Sequence, residues 1–315
     1  MNELFLPQKA VNQTFKKFED LGVTIDIKRE DVLHKEVSGN KLRKLKYNMI
    51  EAQKQGHDTI LTYGGAFSNH IAATAAAGKI LRLQTIGVIR GEELGQDLEK
   101  TLSGNSTLKL AHDNGMQFHF VSREAYRQKE SKDFLNKMKA VFNSFYNIPE
   151  GGTNALAVQG TEEILTEFDK INYDLICVAA GTGGTAAGII NTASEHQKVM
   201  VFSALKGDFM KAEIEKYTIR KDFEVVNEDA FGGYAKSDDG LISYMNSRFR
   251  ESGISLEPIY TGKMMYGIEH MVKTGVIKGK TRILAIHTGG LQSIAGYNKM
   301  LEKKGRLKIS YENYV

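Results

Sequence analysis

The chain has 315 residues, of which 41% are hydrophobic and 25% charged, and its formal net charge at pH 7 is +4. This length is enough for two domains or one large α/β unit with a substantial core. Acidic and basic residues are interspersed, and no apolar run approaches the roughly 18 residues that a membrane span needs. We therefore expect neither nucleic acid nor membrane among its partners, and a small anionic molecule instead. No metal site is predicted.

The single cysteine, Cys177, lies in the apolar run DLICVAA. One cysteine cannot form an internal disulfide, so a buried structural thiol is the favoured role. The segment MNELFLPQKA shows no basic stretch followed by a long apolar core. Together these features predict a cytoplasmic protein.

The first predicted strand is VTIDIK, in which Val23, Ile25 and Ile27 alternate with polar residues. A loop then leads into a helix that ends at Gly56. The apolar positions of this helix recur at helical spacing, at Leu42, Leu45, Met49 and Ala52.

Strands and helices alternate through the rest of the chain. Further strands are predicted in DTILTY, LQTIGVI, MQFHFV, DLICVAA, KVMVFSAL and RILAIHTGG. Helices are predicted in SNHIAATAAAGK, within 106–114, through 129–145, over 155–168, from GTGGTAAGI onward and after the last strand; the signal is weakest over 208–239. This alternation predicts an α/β fold with parallel sheets, and the lack of a linker favours two interleaved lobes.

Lys41 is a candidate nucleophile because it follows the loop residues Gly39 and Asn40 at the predicted start of a helix. The positive end of the helix dipole, with Arg43 and Lys44 nearby, should lower the pKa of its ammonium group. A lysine with a lowered pKa can form a Schiff base with a carbonyl compound. The alternative is that LRKLK is the solvated face of a basic amphipathic helix.

The glycine-rich segment AAGTGGTAAG, residues 179–188, follows a buried strand and opens a helix. Backbone N–H groups at such a turn, with the helix dipole, can hold a phosphate. The segment matches neither the Walker sequence nor the dinucleotide fingerprint. By itself it is also consistent with close packing of a helix against a strand.

Three more turns follow predicted strands or precede helices: YGGAFSNH (63–70), EPIYTGKMMYG (257–267) and HTGG (287–290). Ser68 or Asn69 can be an ordinary N-cap of the next helix. The carboxyl ends of parallel strands are, however, where α/β proteins bind ligands. Four such turns and one lysine are consistent with a site for a flat, phosphorylated aldehyde.

These segments resemble the fold type II pyridoxal-phosphate enzymes, and among them the 1-aminocyclopropane-1-carboxylate (ACC) deaminase and D-cysteine desulfhydrase group. The motifs KRED, SGNKLRKL, YGGAFSNH, AAGTGGTAAG, EPIYTGK and HTGG occur in the family's order, from about Val23 to Leu291. The resemblance implies a tryptophan synthase β-like α/β fold of two interleaved lobes, with twisted, parallel-rich sheets flanked by helices. It also implies a larger cofactor-binding domain (1–43 and 147–315), a smaller α/β domain (44–146), pyridoxal 5'-phosphate as cofactor, and a homodimer.

The resemblance also assigns roles to individual residues. Lys41 would form the Schiff base, Asn69 would hydrogen-bond the ring hydroxyl, and Ser68 would face the substrate, with Tyr260 and Tyr234 near its reacting carbon. The cofactor residues implied are Lys41, Asn69, Gly181, Thr182, Gly183, Gly184, Thr185, Thr261 and Thr288, and the substrate residues are Ser68, Asn69, His70 and Tyr260. The segment GGYAKSDDGL, around Tyr234, departs from the family's Gly-Tyr-Gly pattern, and Ser38 stands where many relatives have glycine.

Thr261 distinguishes the two activities of the group, since the deaminases carry glutamate there, beside the pyridine nitrogen, and the desulfhydrases carry threonine. A carboxylate favours a protonated pyridinium and a strong electron sink, whereas a hydroxyl leaves the nitrogen largely uncharged. The sequence therefore predicts a lyase that eliminates the β-substituent of a small amino acid, D-cysteine or a close analogue. The alternatives are ACC deaminase and a phosphate-binding module without catalysis.

Overall fold

The computed structural model describes residues 3–6, 9–205, 207–227, 231–233 and 235–311. The strands in these residues are β1 (Asn12–Phe18), β2 (Val23–Lys28), β3 (Thr59–Gly65), β4 (Gln84–Arg90), β5 (Gln117–Val121), β6 (Tyr146–Asn147), β7 (Leu175–Ala180), β8 (Lys198–Ser203), β9 (Phe223–Asn227) and β10 (Arg282–Ile286). None of the helices described is long and apolar enough to span a membrane.

The helices are α1 (Asn40–Lys54), α2 (Asn69–Leu81), α3 (Leu98–Gly104), α4 (Ser106–Asp113), α5 (Arg123–Arg127), α6 (Lys132–Phe142), α7 (Ala155–Thr161), α8 (Glu167–Asn172), α9 (Gly184–Thr192), α10 (Phe209–Glu215), α11 (Asp239–Ser252), α12 (Thr261–Lys273) and α13 (Ile294–Lys303). Most of them follow a strand directly, as parallel sheets require of their crossover connections.

Two separate sheets form the framework. The larger has the order β1-β2-β10-β7-β8-β9, and only its edge strand β1 is antiparallel to its neighbour. The smaller has the order β5-β4-β3-β6 and is parallel throughout. Because the strands of the smaller sheet come from residues between β2 and β7, the predicted interleaved α/β fold is confirmed. The exact domain limits stay a prediction; those at 43/44 and 146/147 fall within α1 and β6.

The larger sheet is buried on both faces, which β7 illustrates. Its residues Leu175, Cys177 and Ala179 join a core beneath α11 and α12, whereas Ile176 and Val178 join a second core on the opposite face. All six residues of β7 are buried. Cys177 is therefore the structural thiol that was predicted, and burial raises its pKa.

Several element boundaries differ from the predicted ones. The single helix predicted over 155–168 is wrong: α7 ends at Thr161, and Thr166 starts α8 in a capping box with Asp169. The helix predicted through 129–145 is shorter, because Ser131 caps the start of α6 and Asn143 ends it with a positive φ of 61°. β1, β6 and β9 were not predicted; β9 lies within the region of weakest signal.

Candidate active site

The carboxyl ends of β3, β4 and β7 and the turn after β10 border a cavity of about 550 Å³. Of the residues predicted for the site, those that line it are Lys41, Ser68, Asn69, His70, Gly181, Thr182, Gly183, Thr185, Tyr260 and Thr288. Gly184 and Thr261 are described but do not line the cavity, and Tyr234 lies outside the described residues. Segments distant in sequence thus converge on one site.

The start of α1 places Lys41 in this cavity. Gly39 precedes the helix with φ 64°, and a Cβ at that position would lie 2.1 Å from the Thr288 carbonyl oxygen. Only glycine permits so close an approach between the two segments. The Lys41 ammonium donates to Asn40 Oδ1 at 2.8 Å, and Asn40 Nδ2 donates to Thr185 Oγ1 at 2.7 Å. The side chain of Asn40 therefore links Lys41 to the glycine-rich loop.

Burial lowers the pKa of Lys41 to about 8, although the negative charge of Glu257 acts in the opposite direction and raises it. The direction agrees with the prediction, but the cause differs from the one proposed from sequence. Arg43 points away from the cavity and bonds Glu30 through Nε at 2.9 Å. Desolvation, rather than a cluster of cations on α1, is thus the main reason why a neutral amine is accessible here.

The glycine-rich loop after β7 packs closely against its neighbours. Gly183 has φ 76°, and its Cβ would meet Ile214 Cγ1 at 3.1 Å, while a Cβ on Gly184 would meet Thr153 Cγ2 at 2.8 Å. The first N–H groups of α9 have no acceptor within the helix. Together with the helix dipole they form an anion site at the end of the cavity.

Lys44 is the residue of this anion site that the sequence analysis missed. Its ammonium donates to the Gly151 carbonyl, to Thr153 Oγ1 at 2.7 Å and to Thr182 Oγ1 at 3.5 Å. Burial and the neighbouring Lys41 hold its pKa well below the usual range. A bound phosphate dianion would relieve this penalty. The sequence feature that could have identified Lys44 is its spacing, because it lies three positions after Lys41 and therefore on the same face of the helix.

Asn69 and Ser68 border the cavity at the start of α2. Gln292 Nε2 donates to Asn69 Oδ1 at 2.7 Å, which fixes the amide and leaves Asn69 Nδ2 able to donate to a ligand hydroxyl. Ser68 is the N-cap, as the alternative interpretation held, and its Oγ accepts from the Ile71 N–H at a long 3.4 Å. Ser68 also lines the cavity.

His70 is buried at the edge of the cavity and is neutral. The Thr62 hydroxyl donates to the Ile148 carbonyl, so it accepts at 2.8 Å from His70 Nε2, which therefore carries the hydrogen. Burial, with Lys44 and Lys41, holds the pKa of His70 well below its usual range. Its Nδ1 is an acceptor without a hydrogen-bond partner among the described residues.

The turn before α12 brings Tyr260 to the opposite wall, and the next residue, Thr261, is buried. The Tyr260 hydroxyl lies 3.0 Å from where a Cβ on Gly181 would be. The buried Glu257 carboxylate accepts the backbone N–H groups of Ile259, Tyr260 and Thr261, and burial raises its pKa to about 7. The Thr261 hydroxyl accepts from the Glu257 N–H at 3.0 Å. Glu257, which sequence reasoning did not single out, thus fixes the conformation of this turn.

These residues are suited to pyridoxal phosphate. A lysine of lowered pKa is available for the aldehyde, a glycine cradle with a buried ammonium for the phosphate, and a fixed amide donor for the ring hydroxyl. The arrangement is that of an aldehyde cofactor site with room beside it for a small substrate.

Comparison with known proteins gives three relevant similarities. A sequence family described as pyridoxal-phosphate dependent enzyme matches residues 11–289. A bifunctional D-cysteine desulfhydrase/1-aminocyclopropane-1-carboxylate deaminase, mitochondrial, of Arabidopsis thaliana is 32% identical over 303 residues, covering 89% of this chain and 75% of that protein. The crystal structure of an ACC deaminase homologue matches with a TM-score of 0.81 and 27% identity, covering 96% of this chain and 95% of that one.

A more distant similarity extends to the fold alone. The crystal structure of an O-acetylserine dependent cystathionine β-synthase from Helicobacter pylori matches with a TM-score of 0.66 at 14% identity, over 93% of this chain and 97% of that one.

Proposed function

The chain belongs to the pyridoxal-phosphate dependent enzymes, in the fold type II group that contains ACC deaminase and D-cysteine desulfhydrase, and we propose that it is a lyase acting on D-cysteine or a close β-substituted analogue. In this reaction the Cα–H and Cβ–S bonds break and sulfide leaves with the bonding electrons. Water then hydrolyses the resulting enamine to pyruvate and ammonia. Membership of the family confirms the predicted cofactor and disfavours a binding module without catalysis.

The bound cofactor supplies the electron sink that makes the α-proton of the amino acid acidic. Within this proposal Lys41 Nζ holds the cofactor and, once free, accepts that proton. Its pKa of about 8 suits this role, because an appreciable fraction of a free amine would be neutral near pH 7. Lys44 and the start of α9 hold the phosphate.

The start of α2 is proposed to bind the α-carboxylate of the substrate. Ser68 Oγ and the Ser68 carbonyl already accept from the N–H groups of Ile71 and Ala72. The N–H groups of Asn69 and His70 are then the donors left at this helix end for a carboxylate. Tyr260, on the opposite wall, is proposed to orient the leaving group.

The hydroxyl of Thr261 is the feature on which the choice between β-elimination and ring opening depends. This hydroxyl accepts from the Glu257 N–H at 3.0 Å and donates to the Glu257 carbonyl only at a long 3.5 Å, so a closer acceptor such as an unprotonated ring nitrogen would be the better partner for its hydrogen. A hydrogen bond from a hydroxyl withdraws less electron density than a protonated nitrogen does. Expelling a thiolate from Cβ needs less stabilisation than opening an unactivated ring, so the proposal favours elimination.

ACC deaminase is the second candidate, because the Arabidopsis relative is named for both activities and the structural relative is named an ACC deaminase homologue. The holoenzyme should be assayed with D-cysteine, L-cysteine, β-chloro-D-alanine and ACC, with 2-oxo acid production as the readout. We expect elimination from a β-substituted substrate to be much faster than turnover of ACC. A wild-type enzyme that prefers ACC would refute the argument from Thr261, and Thr261→Glu tests it in the reverse direction.

A further inference from the structure

Three cationic side chains among the described residues line the cavity: Lys41, Lys44 and Arg90. The two lysines lie on α1, and the proposed function uses both, one for the aldehyde and one for the phosphate. Arg90 is the last residue of β4, in the smaller sheet, and it is exposed at the cavity mouth. The proposed function gives it no role.

The backbone holds Arg90 beside residues 65–68, the turn that leads into α2. Gly65 pairs with Arg90 in the register of β3 and β4, and the Arg90 guanidinium nitrogen Nη2 lies 3.4 Å from where a Cβ on Gly65 would be. Gly65 in turn accepts the Ser68 N–H at 3.0 Å, which closes the turn that starts α2. Arg90 therefore lies beside the turn that ends at Ser68.

Arg90 has no anionic partner of its own in the described part of the chain, where it forms no ion pair within 4.0 Å. Its guanidinium lies over the Tyr126 ring at 5.7 Å from the centroid. Lys129 also approaches this ring, at 5.0 Å, but Lys129 is paired at 3.1 Å with Glu150, a residue of the cavity wall. The aromatic contact orients the Arg90 guanidinium without neutralising it.

We propose that Arg90 binds a second anionic group of the substrate, so that the enzyme favours β-substituted alanines whose β-substituent is negatively charged. This inference rests on the proposed function, since it takes the α-carboxylate to be bound at the start of α2. Guanidinium groups bind sulfate, phosphate and carboxylate oxygens in a bidentate manner. The substrates expected are sulfate or phosphate esters of the serine skeleton and related compounds.

The chemistry is the same elimination with a different leaving group. The Cα–H bond breaks, the Cβ–O bond breaks with its electrons going to sulfate or phosphate, and water hydrolyses the enamine to pyruvate and ammonia. No oxidant or reductant is needed. Arg90 contacts the departing anion and is therefore a residue of substrate selection.

The test compares serine O-sulfate with β-chloroalanine, using the enantiomer of each that wild-type holoenzyme turns over. The measured quantity is the ratio of the two kcat/KM values in wild type, Arg90→Gln and Arg90→Lys. We expect Arg90→Gln to lower this ratio at least tenfold, mostly through the KM of the sulfate ester, and Arg90→Lys to restore part of it. Added KCl should lower the ratio in wild type and much less in Arg90→Gln.

Arg123→Gln is the matched control, because Arg123 lies on α5, pairs with Glu93 at 3.1 Å and does not line the cavity. An unchanged ratio in Arg90→Gln would overturn the inference. Equal losses for both substrates would also overturn it, since they would mean that Arg90 binds the α-carboxylate that both substrates share. If wild type eliminates from neither compound nor from cysteine, the proposed function itself fails.

Discussion

At the cavity the carboxyl ends of the strands of the two sheets meet, and these two carboxyl edges are built differently. The large-sheet edge, residues 181–185 and 287–290, is mostly buried and has positive φ at Gly183, Gly289 and Gly290. The small-sheet edge, residues 65–70 and Arg90, is mostly half-buried or exposed, and Phe67 is 59% exposed. The first holds its geometry through backbone contacts that only glycine permits, whereas the second presents side chains to the cavity. Changes at the large-sheet edge, at α1 and at Asn69 should therefore affect the cofactor, and changes at the rest of the small-sheet edge should affect the substrate.

The largest effect is expected for Lys41→Ala, which should abolish covalent attachment of the cofactor while the protein still folds. Lys41 is half-buried and lines the cavity, so alanine removes a polar side chain from the site rather than an apolar one from a core. Borohydride reduction followed by peptide mass spectrometry measures the attachment. Lys54→Ala is the control, since Lys54 is 77% exposed at the other end of α1. A phosphopyridoxyl mass on a peptide without Lys41 would contradict the assignment.

Gly183→Val should weaken cofactor affinity at least tenfold, about 1.4 kcal/mol. A valine there would have to adopt φ 76° and would meet Ile214 at 3.1 Å, so the loop must shift away from the ligand. Equilibrium titration of the apoprotein with cofactor gives the affinity. Gly253→Val is the matched control, because Gly253 has φ 69° but no atom within 4 Å of its Cβ position. Equal affinity in the two variants would favour a packing role for the loop.

The sequence predicted the fold and the cofactor better than it predicted the contacts within the site. The order of strands and helices and the position of Lys41 follow from local patterns, which a single sequence displays. Lys44, Glu257 and Gln292 were missed because their roles depend on partners in other motifs, such as Thr153 for Lys44 and Asn69 for Gln292. The edge strand β1 was missed because it is held by its pairing with β2, a contact that a local sequence pattern does not show. The homodimer and the cytoplasmic location stay predictions.

The pH dependence of cofactor uptake should report the environment of Lys41. Since burial lowers its pKa to about 8, its neutral fraction should rise about tenfold per unit below that pH and level off above it. Rates of uptake by apoprotein, measured by absorbance between pH 6 and 10, should follow this curve. Glu257→Gln should move the midpoint lower, because the Glu257 charge raises the pKa of Lys41. A rate that still rises near pH 10 would indicate an ordinary, solvated lysine.

The smallest effect concerns Ser68, on the small-sheet edge. Its cap bond to the Ile71 N–H is long at 3.4 Å, so Ser68→Ala should lower the free energy of unfolding by less than about 1 kcal/mol. Cofactor affinity should not change. If the hydroxyl faces the substrate, the KM for a β-substituted amino acid should rise several-fold.

Ser122→Ala separates the two roles of such a serine. Ser122 caps α5 through a bond to the Ala125 N–H at 3.1 Å, and it does not line the cavity. Its substitution should cost a similar amount of stability through the same loss of a helix cap, without changing KM. Denaturant unfolding and steady-state kinetics on both variants give the comparison. If Ser68→Ala, like Ser122→Ala, changes stability but not KM, then Ser68 is only a helix cap. In that case the small-sheet edge must select the substrate through Arg90 and the N–H groups of α2.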